Sequence, residues 1–441
     1  MGDTEHCISP PVPVMRGAQL RTHLRWRVVA AVFLLGFITI VDRVCISSAK
    51  LSIAAELHIP DVQFGWVFGA FAVGYAIAMI PSGWLGDRIA PRAFLALNVC
   101  CWSLFTACTG LVTGLTALLV VRLLFGLAEA GVYPTASRAL YNWMPVSERG
   151  SALGLLNAGS RLGAALGLAI ASWIILSFTW RVCFLLLGAA GLTWAVCWYF
   201  WYHDDPAEQR GISAEELDYI RKPAERSSEQ RQRPGAWKQQ AFSVSGCLLL
   251  FQYFANNFSL FLVYSWMLPY LQQRFLVQPA RAGIYSGLPM YCGVAATFGG
   301  GVLIDGLFRR GFRSWSRAIP AAGGFLLAAL GVALAGLAAS PGWFVFWIAI
   351  VVLGLDSTVS SSWTVCSDIG REHTATVSAA MNMAGSLGSF ACAIVFPYAV
   401  HLTGRADAFF WIAAALNLAG LCCWLRLGAR LAERRPLLQA S

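Results

Sequence analysis

Runs of about twenty apolar residues recur along this chain, separated by short loops in which arginine is concentrated. A helix rises 1.5 Å per residue, so roughly 20 residues cross the hydrocarbon core of a bilayer. Twelve runs meet that length: 26–46, 63–84, 94–113, 117–139, 151–175, 181–202, 243–271, 282–306, 317–337, 342–366, 376–401 and 406–428. Of the 441 residues, 58% are hydrophobic and only 12% are charged, against about 25% charged in soluble domains. The chain therefore reads as an all-α membrane protein with twelve transmembrane helices, and the usual division of such a length into soluble domains does not apply.

The basic residues supply the topology. The N-terminal segment, 88–92, 138–149, 203–242, 309–317, Arg371 and 426–435 are rich in arginine, and they alternate with nearly neutral connections at 114–116, 176–180, 338–341 and 402–405. With twelve spans the basic segments fall on one side, which the positive-inside rule makes cytoplasmic. Both termini are expected there, and Lys50, Arg274 and Arg281 are the exceptions. The net charge of +10 is thus a topological signal, not the footprint of a nucleic acid. Residues 1–25 read as a cytoplasmic tail and not as a signal peptide. The 13 cysteines form no CxxC pair and have no histidine partners at metal spacing, so neither a disulfide frame nor a metal site is expected.

Residues 203–242 are long and polar, and divide the chain into 26–202 and 243–428, two halves of six spans, followed by a tail at 429–441. Within this linker 213–222 is expected to form a short helix, with Ser213 as N-cap and Glu216 three residues on. The halves share a motif. Gly83-Trp-Leu-Gly-Asp87-Arg88-Ile-Ala-Pro-Arg92 follows the second span, and Gly301-Val-Leu-Ile-Asp305-Gly-Leu-Phe-Arg309 follows the eighth. These segments resemble the cytoplasmic loop motif of the major facilitator superfamily, with Ala90 where that motif has a second glycine and Gly306 where the stronger copy has arginine. The resemblance implies two pseudo-symmetric six-helix bundles. It also implies a conformational latch made by Gly83, Asp87, Arg88, Arg92, Asp305 and Arg309.

Charges inside spans cost about 2.5–3.5 kcal/mol each on the insertion scale, so they mark polar cavities. In the fourth span Arg122 and Glu129 are seven residues apart, two turns on one face and about 10 Å along the axis. Asp42 and Arg43 read as a second acid–base pair near the end of the first span, and Arg161 lies in the fifth. Arginine holds a carboxylate bidentately and keeps its proton. A buried carboxyl is pulled between desolvation and a neighbouring cation, so it is suited to proton transfer. The pattern points to anion recognition coupled to protons, with purely structural ion pairs as the alternative.

Asp42-Arg43, Tyr75 through Pro81 to Gly83, Arg122 with Glu129, Trp266-Met-Leu-Pro269-Tyr270-Leu271 and Met381-Asn382-Met-Ala-Gly385 together resemble the anion:cation symporter family. That family includes carriers of hexonates, hexuronates, glucarate, tartrate and phthalate, and is related to sialin-type transporters. The resemblance covers about 25–430 and implies that Arg43 and Arg122 bind a substrate carboxylate. It further implies that Asp42 and Glu129 carry protons, and that Tyr75 and Asn382 hydrogen-bond substrate from opposite halves. Ser160 and Arg161 sit where members vary, and would set specificity or, for Arg161, serve gating. Asp356 in the tenth span has no role in the resemblance.

The expected activity is import of a small organic anion by proton symport, with no cofactor beyond the proton gradient, by a monomer in a bacterial inner membrane. An exchanger or exporter of the same superfamily is the alternative. A membrane sensor or enzyme is disfavoured, since the sequence has no His/Asp/Ser constellation and no glycine-rich nucleotide loop.

Overall fold

Why each apolar run becomes a helix follows from its solvent, because lipid offers no partner for backbone N–H and C=O groups. The computed structural model describes residues 22–145, 148–221, 243–312, 315–370 and 374–433, without the side chains of Asp87, Phe298, Asp305, Ser367, 374–376 and 431–433. The described residues contain twelve helical segments long and apolar enough to span a membrane. In chain order the helices are α1 (Leu24–Leu57), α2 (Asp61–Arg88), α3 (Pro91–Thr109), α4 (Leu115–Glu129), α5 (Val132–Trp143), α6 (Arg149–Ser177) and α7 (Trp180–Trp201). The short α8 (Ala214–Arg221) follows, then α9 (Val244–Ser265), α10 (Met267–Phe275), α11 (Pro279–Arg309), α12 (Ala318–Gly336), α13 (Pro341–Gly370), α14 (Thr374–Thr403) and α15 (Asp407–Glu433). Helices α4 and α5 together form the fourth span.

Two bundles result, α1–α7 and α9–α15, joined by packing of α6 along α11 and of α2 along α14. Small residues allow the closest approaches. Gly159, Gly163 and Gly167 on α6 sit against the α1 backbone at Phe33, Phe37 and Val41, the small-residue stripe by which membrane helices associate.

Contacts between bundles gather at one face, here called distal because it lies opposite the ends of the chain. A Cβ at Gly65 would lie 2.7 Å from the Ala393 carbonyl oxygen, and one at Gly283 would lie 2.8 Å from Ser172 Oγ. At Gly83, Gly150, Gly154 and Gly299, toward the face of the chain ends, a Cβ would meet nothing within 4 Å. The bundles are therefore closed distally and parted toward the terminal face.

Two prolines free carbonyls at the distal face, one bonded across the bundles and one within the second bundle. Proline has no N–H, so it frees the carbonyl four residues earlier in a helix. Pro269 frees the Ser265 oxygen, which accepts a hydrogen bond from Ser47 Oγ of α1 at 2.6 Å. Pro397 frees the Ala393 oxygen, which accepts from Trp266 Nε1 at 3.2 Å. Lys50, an outlier in the loop-charge pattern, is fully buried here and pairs with Asp61, its ammonium 5.7 Å from the Trp266 ring centroid. Gln273 of the second bundle donates to the other Asp61 oxygen at 3.3 Å. Lys50 is thus a buried cation held by an acid and not a loop charge.

The described part of the linker is docked on the first bundle. Ser213 Oγ accepts from the Glu216 N–H at 3.2 Å, as the capping pattern predicts. The Glu216 side chain turns instead to α1, accepting from the N–H groups of Leu24 (3.0 Å) and Arg25 (3.2 Å), from Arg25 Nη1 (3.1 Å) and from Thr22 Oγ1 (2.6 Å). It satisfies the open first turn of the first span and complements its dipole. Residues 1–21, 222–242 and 434–441, which hold most of the expected tails and linker, lie outside the described residues.

Candidate functional site

The fourth span is broken beside its acid. Pro134 removes the N–H that would bond the Ala130 carbonyl, and α4 ends at Glu129 before α5 starts at Val132. Glu129 is fully buried at this break and projects toward α1. There Arg43 Nε donates to Glu129 Oε1 at 3.1 Å, and Arg43 Nη2 closes the ion pair on the same oxygen. The other carboxylate oxygen, Oε2, has no hydrogen-bond partner. The guanidinium also packs on aromatic faces, 4.9 Å from the Phe71 centroid and 5.1 Å from that of Tyr75.

This pairing corrects the sequence reading. Asp42 and Arg43 are adjacent and point about 100° apart around α1, so they do not pair. Asp42 turns inward and accepts from Trp102 Nε1 at 3.0 Å, while its Oδ1 has no partner. Arg122 and Glu129 share a face but are too far apart along it to touch, and Arg43 fills the gap. Arg122 is buried, 4.6 Å from the Phe125 centroid and 5.5 Å from that of Phe71, within electrostatic reach of Glu129 and Asp42.

A cavity of about 140 Å³ lies between the bundles. Arg43, Phe71, Ala72 and Tyr75 line it from the first, and Asn257, Leu260, Phe261, Tyr264, Asn382, Ser386 and Ser389 from the second. Of the residues expected to bind substrate, Arg43, Tyr75 and Asn382 thus share one chamber. Arg122 stands behind the Phe71 wall. Ser160 Oγ meets the Tyr133 hydroxyl at 2.8 Å, and neither residue is part of the cavity lining. Asn257 and Asn382 each donate one N–H to their own helix, to the Tyr253 oxygen at 2.9 Å and the Ser378 oxygen at 3.0 Å. Each amide keeps a second N–H and a carbonyl oxygen for the cavity.

Arg161 has a partner that the linear spacing does not reveal. Its Nη2 donates to Asp356 Oδ1 at 2.8 Å and its Nη1 lies 2.8 Å from Oδ2, across the bundle interface. Partners 195 residues apart carry no local signal; the clue is an unmatched cation in one half and an unmatched acid in the other. Ser386 and Ser389 were also unsignalled, since serine is unremarkable in a membrane helix.

Arg88 and Arg92, the latch arginines of the first bundle, make the contacts described here within that bundle. Arg88 stacks 3.7 Å from the Trp84 centroid. Arg92 donates its N–H to Asp204 Oδ1 at 3.0 Å and its Nε to the Tyr199 oxygen at 2.7 Å. Arg138, which the motif omits, closes the end of α2 by donating to the carbonyls of Gly86 and Ile89. Gly83 has open space beside it, Arg309 ends α11, and the side chains of Asp87 and Asp305 lie outside the described residues.

Comparison with known proteins agrees with this architecture. The sequence pattern of the Major Facilitator Superfamily matches residues 32–393. The probable sulfoacetate transporter of Cupriavidus necator is 30% identical, over 94% of this chain and 96% of the relative. The D-galactonate transporter of Escherichia coli is 28% identical over 92% of this chain and 96% of its own, and the hexuronate transporter of Bacillus subtilis 29% over 82% of each. Among solved structures, a bacterial homolog of the human lysosomal transporter Spinster, inward-facing and unoccupied, aligns with a TM-score of 0.72. It is 20% identical over 92% of this chain and 95% of that one, a likeness of fold.

Proposed function

The chain belongs to the major facilitator superfamily, and from that premise we propose that it imports a small organic anion together with protons by alternating access. It is a multi-pass transporter of organic anions and not an enzyme, as its family and its sugar-acid and sulfoacetate relatives indicate. The observation that carries the coupling is the Arg43–Glu129 pair, whose arginine lines the inter-bundle cavity while its acid is buried behind it.

An entering carboxylate competes with Glu129 for the guanidinium, whose fork holds a carboxylate bidentately and now grips Glu129 through Oε1 alone. Once the substrate holds Arg43, Glu129 is a buried charge without its counter-ion. An unpaired buried charge is far costlier than a neutral carboxyl, so Glu129 takes a proton. Anion and proton then load together and leave together, which is symport. Asp42 accepts a second proton beside it, and Arg122 balances both acids from behind the wall. Tyr75 and Asn382 hold the polar body of the substrate from opposite bundles, so its binding draws them together.

The distally closed state presents the cavity to the face of the chain ends. With both termini cytoplasmic in a bacterial inner membrane, that state is the one that releases imported substrate. The carrier acts as a monomer, since one chain contains both halves of the site, and the proton gradient supplies the driving force without a cofactor.

The test is uptake by proteoliposomes. An inward-directed pH gradient should drive accumulation of the substrate anion in vesicles that contain none at the start. Uptake that requires internal anion and ignores the gradient would identify an exchanger instead.

A further inference from the structure

The molecule holds two arginine–carboxylate pairs of the same construction. In each, the arginine side chain is 22% exposed and the acid is 0% exposed: Arg43 with Glu129, and Arg161 with Asp356. Each thus turns its cation toward accessible space and keeps the acid behind it. Tyr264 of the cavity wall lies within electrostatic reach of Arg43, Arg161 and Asp356 together. Tyr253, about three turns away on the same helix, lies within electrostatic reach of Arg161, Asp356 and Tyr75. The second pair is therefore beside the cavity that the first one lines. Asp356 has room for its carboxylate because Gly293 opposite has no side chain; a Cβ there would strike it.

A monoanion bound at Arg43 leaves the second pair unused, although burying it costs two desolvated charges. An anionic group reaching Arg161 would find the same fork that Asp356 now occupies. We propose that Arg161 is a second anion subsite, so that the cavity takes a dianion whose two charged ends displace Glu129 from Arg43 and Asp356 from Arg161. This rests on the reading of Arg43 given above. Because Arg161 belongs to the first bundle and Asp356 to the second, occupation of the subsite also releases a tie between the bundles. Asp356, stripped of its partner, takes a proton from water, so that a dianion carries one proton for each acid displaced.

The test uses matched probes that differ by one charge: galactarate with galactonate, sulfoacetate with ethanesulfonate, phthalate with benzoate. Binding to the purified full-length chain is measured by calorimetry. The wild type should bind the dianion of at least one pair tenfold or more tightly than its partner. Arg161→Gln should cut dianion affinity at least tenfold more than monoanion affinity, and Arg161→Lys, which keeps the charge and hence the fold, should restore part of the preference. Equal losses for both members of the pair, or no preference in the wild type, would overturn the second subsite and leave Arg43 in place. Unchanged binding of both members in Arg43→Gln would instead overturn the reading of the cavity itself, and the subsite with it.

Discussion

At the scale of single residues, the account turns on which cation faces which acid. Arg43 makes a bidentate-capable fork and stacks on Phe71 and Tyr75 at once, and lysine reproduces neither contact. Arg43→Lys should therefore weaken substrate binding by roughly tenfold to a hundredfold, the worth of one charge-assisted hydrogen bond at about 1.5–3 kcal/mol. Calorimetry with the wild-type substrate checks it, and an unchanged affinity would take Arg43 out of the site. Trp102 Nε1 donates to Asp42 Oδ2 at 3.0 Å inside the first bundle. Trp102→Phe should cost about 1–3 kcal/mol by leaving a buried acceptor unmet, seen as a lower unfolding temperature in detergent. Asp42→Asn in the same background should recover part of the loss; an unaltered temperature in Trp102→Phe would mean that the bond contributes nothing. The identities of the charged residues were legible in the sequence, because a charge within an apolar run announces itself. Their pairing was not, since Asp42 beside Arg43 looks like a pair in one dimension while helix geometry sends the two apart.

At the scale of helices, span number and approximate limits follow from the length a bilayer demands, and the twelve runs read from hydropathy match twelve helical spans. The breaks are also legible where proline stands, as at Pro134 and Pro269. What freed carbonyls bond to is a property of the folded pair of bundles, so Ser47 on the Ser265 oxygen has no local signature. The glycines at the bundle interface are similar: their frequency shows in the sequence, but only packing shows which of them carry the closure. Gly65 meets the Ala393 backbone and Pro397 Cγ, the latter 2.8 Å from where a Cβ would lie. Gly65→Val should therefore disfavour the distally closed state and shift the population toward one open on that face. Spin-label distances measured across the distal face should lengthen, whereas an unchanged distribution would show that α2 and α14 do not need this close approach.

For the whole molecule, the linker contributes more than its length suggests. Burial favours the neutral form of Glu216, yet its hydrogen bonds from Thr22, the Arg25 and Leu24 N–H groups and the Arg25 guanidinium outweigh that, and the carboxyl is held below its ordinary value. A carboxylate with a depressed folded value adds stability at pH above its unfolded value, about 4.3, and loses it as pH falls through the folded one. Docking of α8 on α1 should hold from neutral pH to about 5 and loosen in stronger acid. Hydrogen exchange in 214–221 checks this against Glu216→Gln, in which the acid-dependent step should be absent; an identical step in both would assign it to another group. This contact ties the segment between the bundles to the start of the first span, so the two halves are joined by a structured strap up to Arg221.

The central claim is that substrate and Glu129 exchange places on Arg43, and that the displaced acid carries the proton. Glu129→Gln tests it most directly, because glutamine preserves the shape of the side chain and cannot titrate. In proteoliposomes the variant should still exchange external for internal substrate in counterflow, while an imposed pH gradient drives no accumulation. If Glu129→Gln concentrates substrate against its gradient as the wild type does, the coupling described here is wrong.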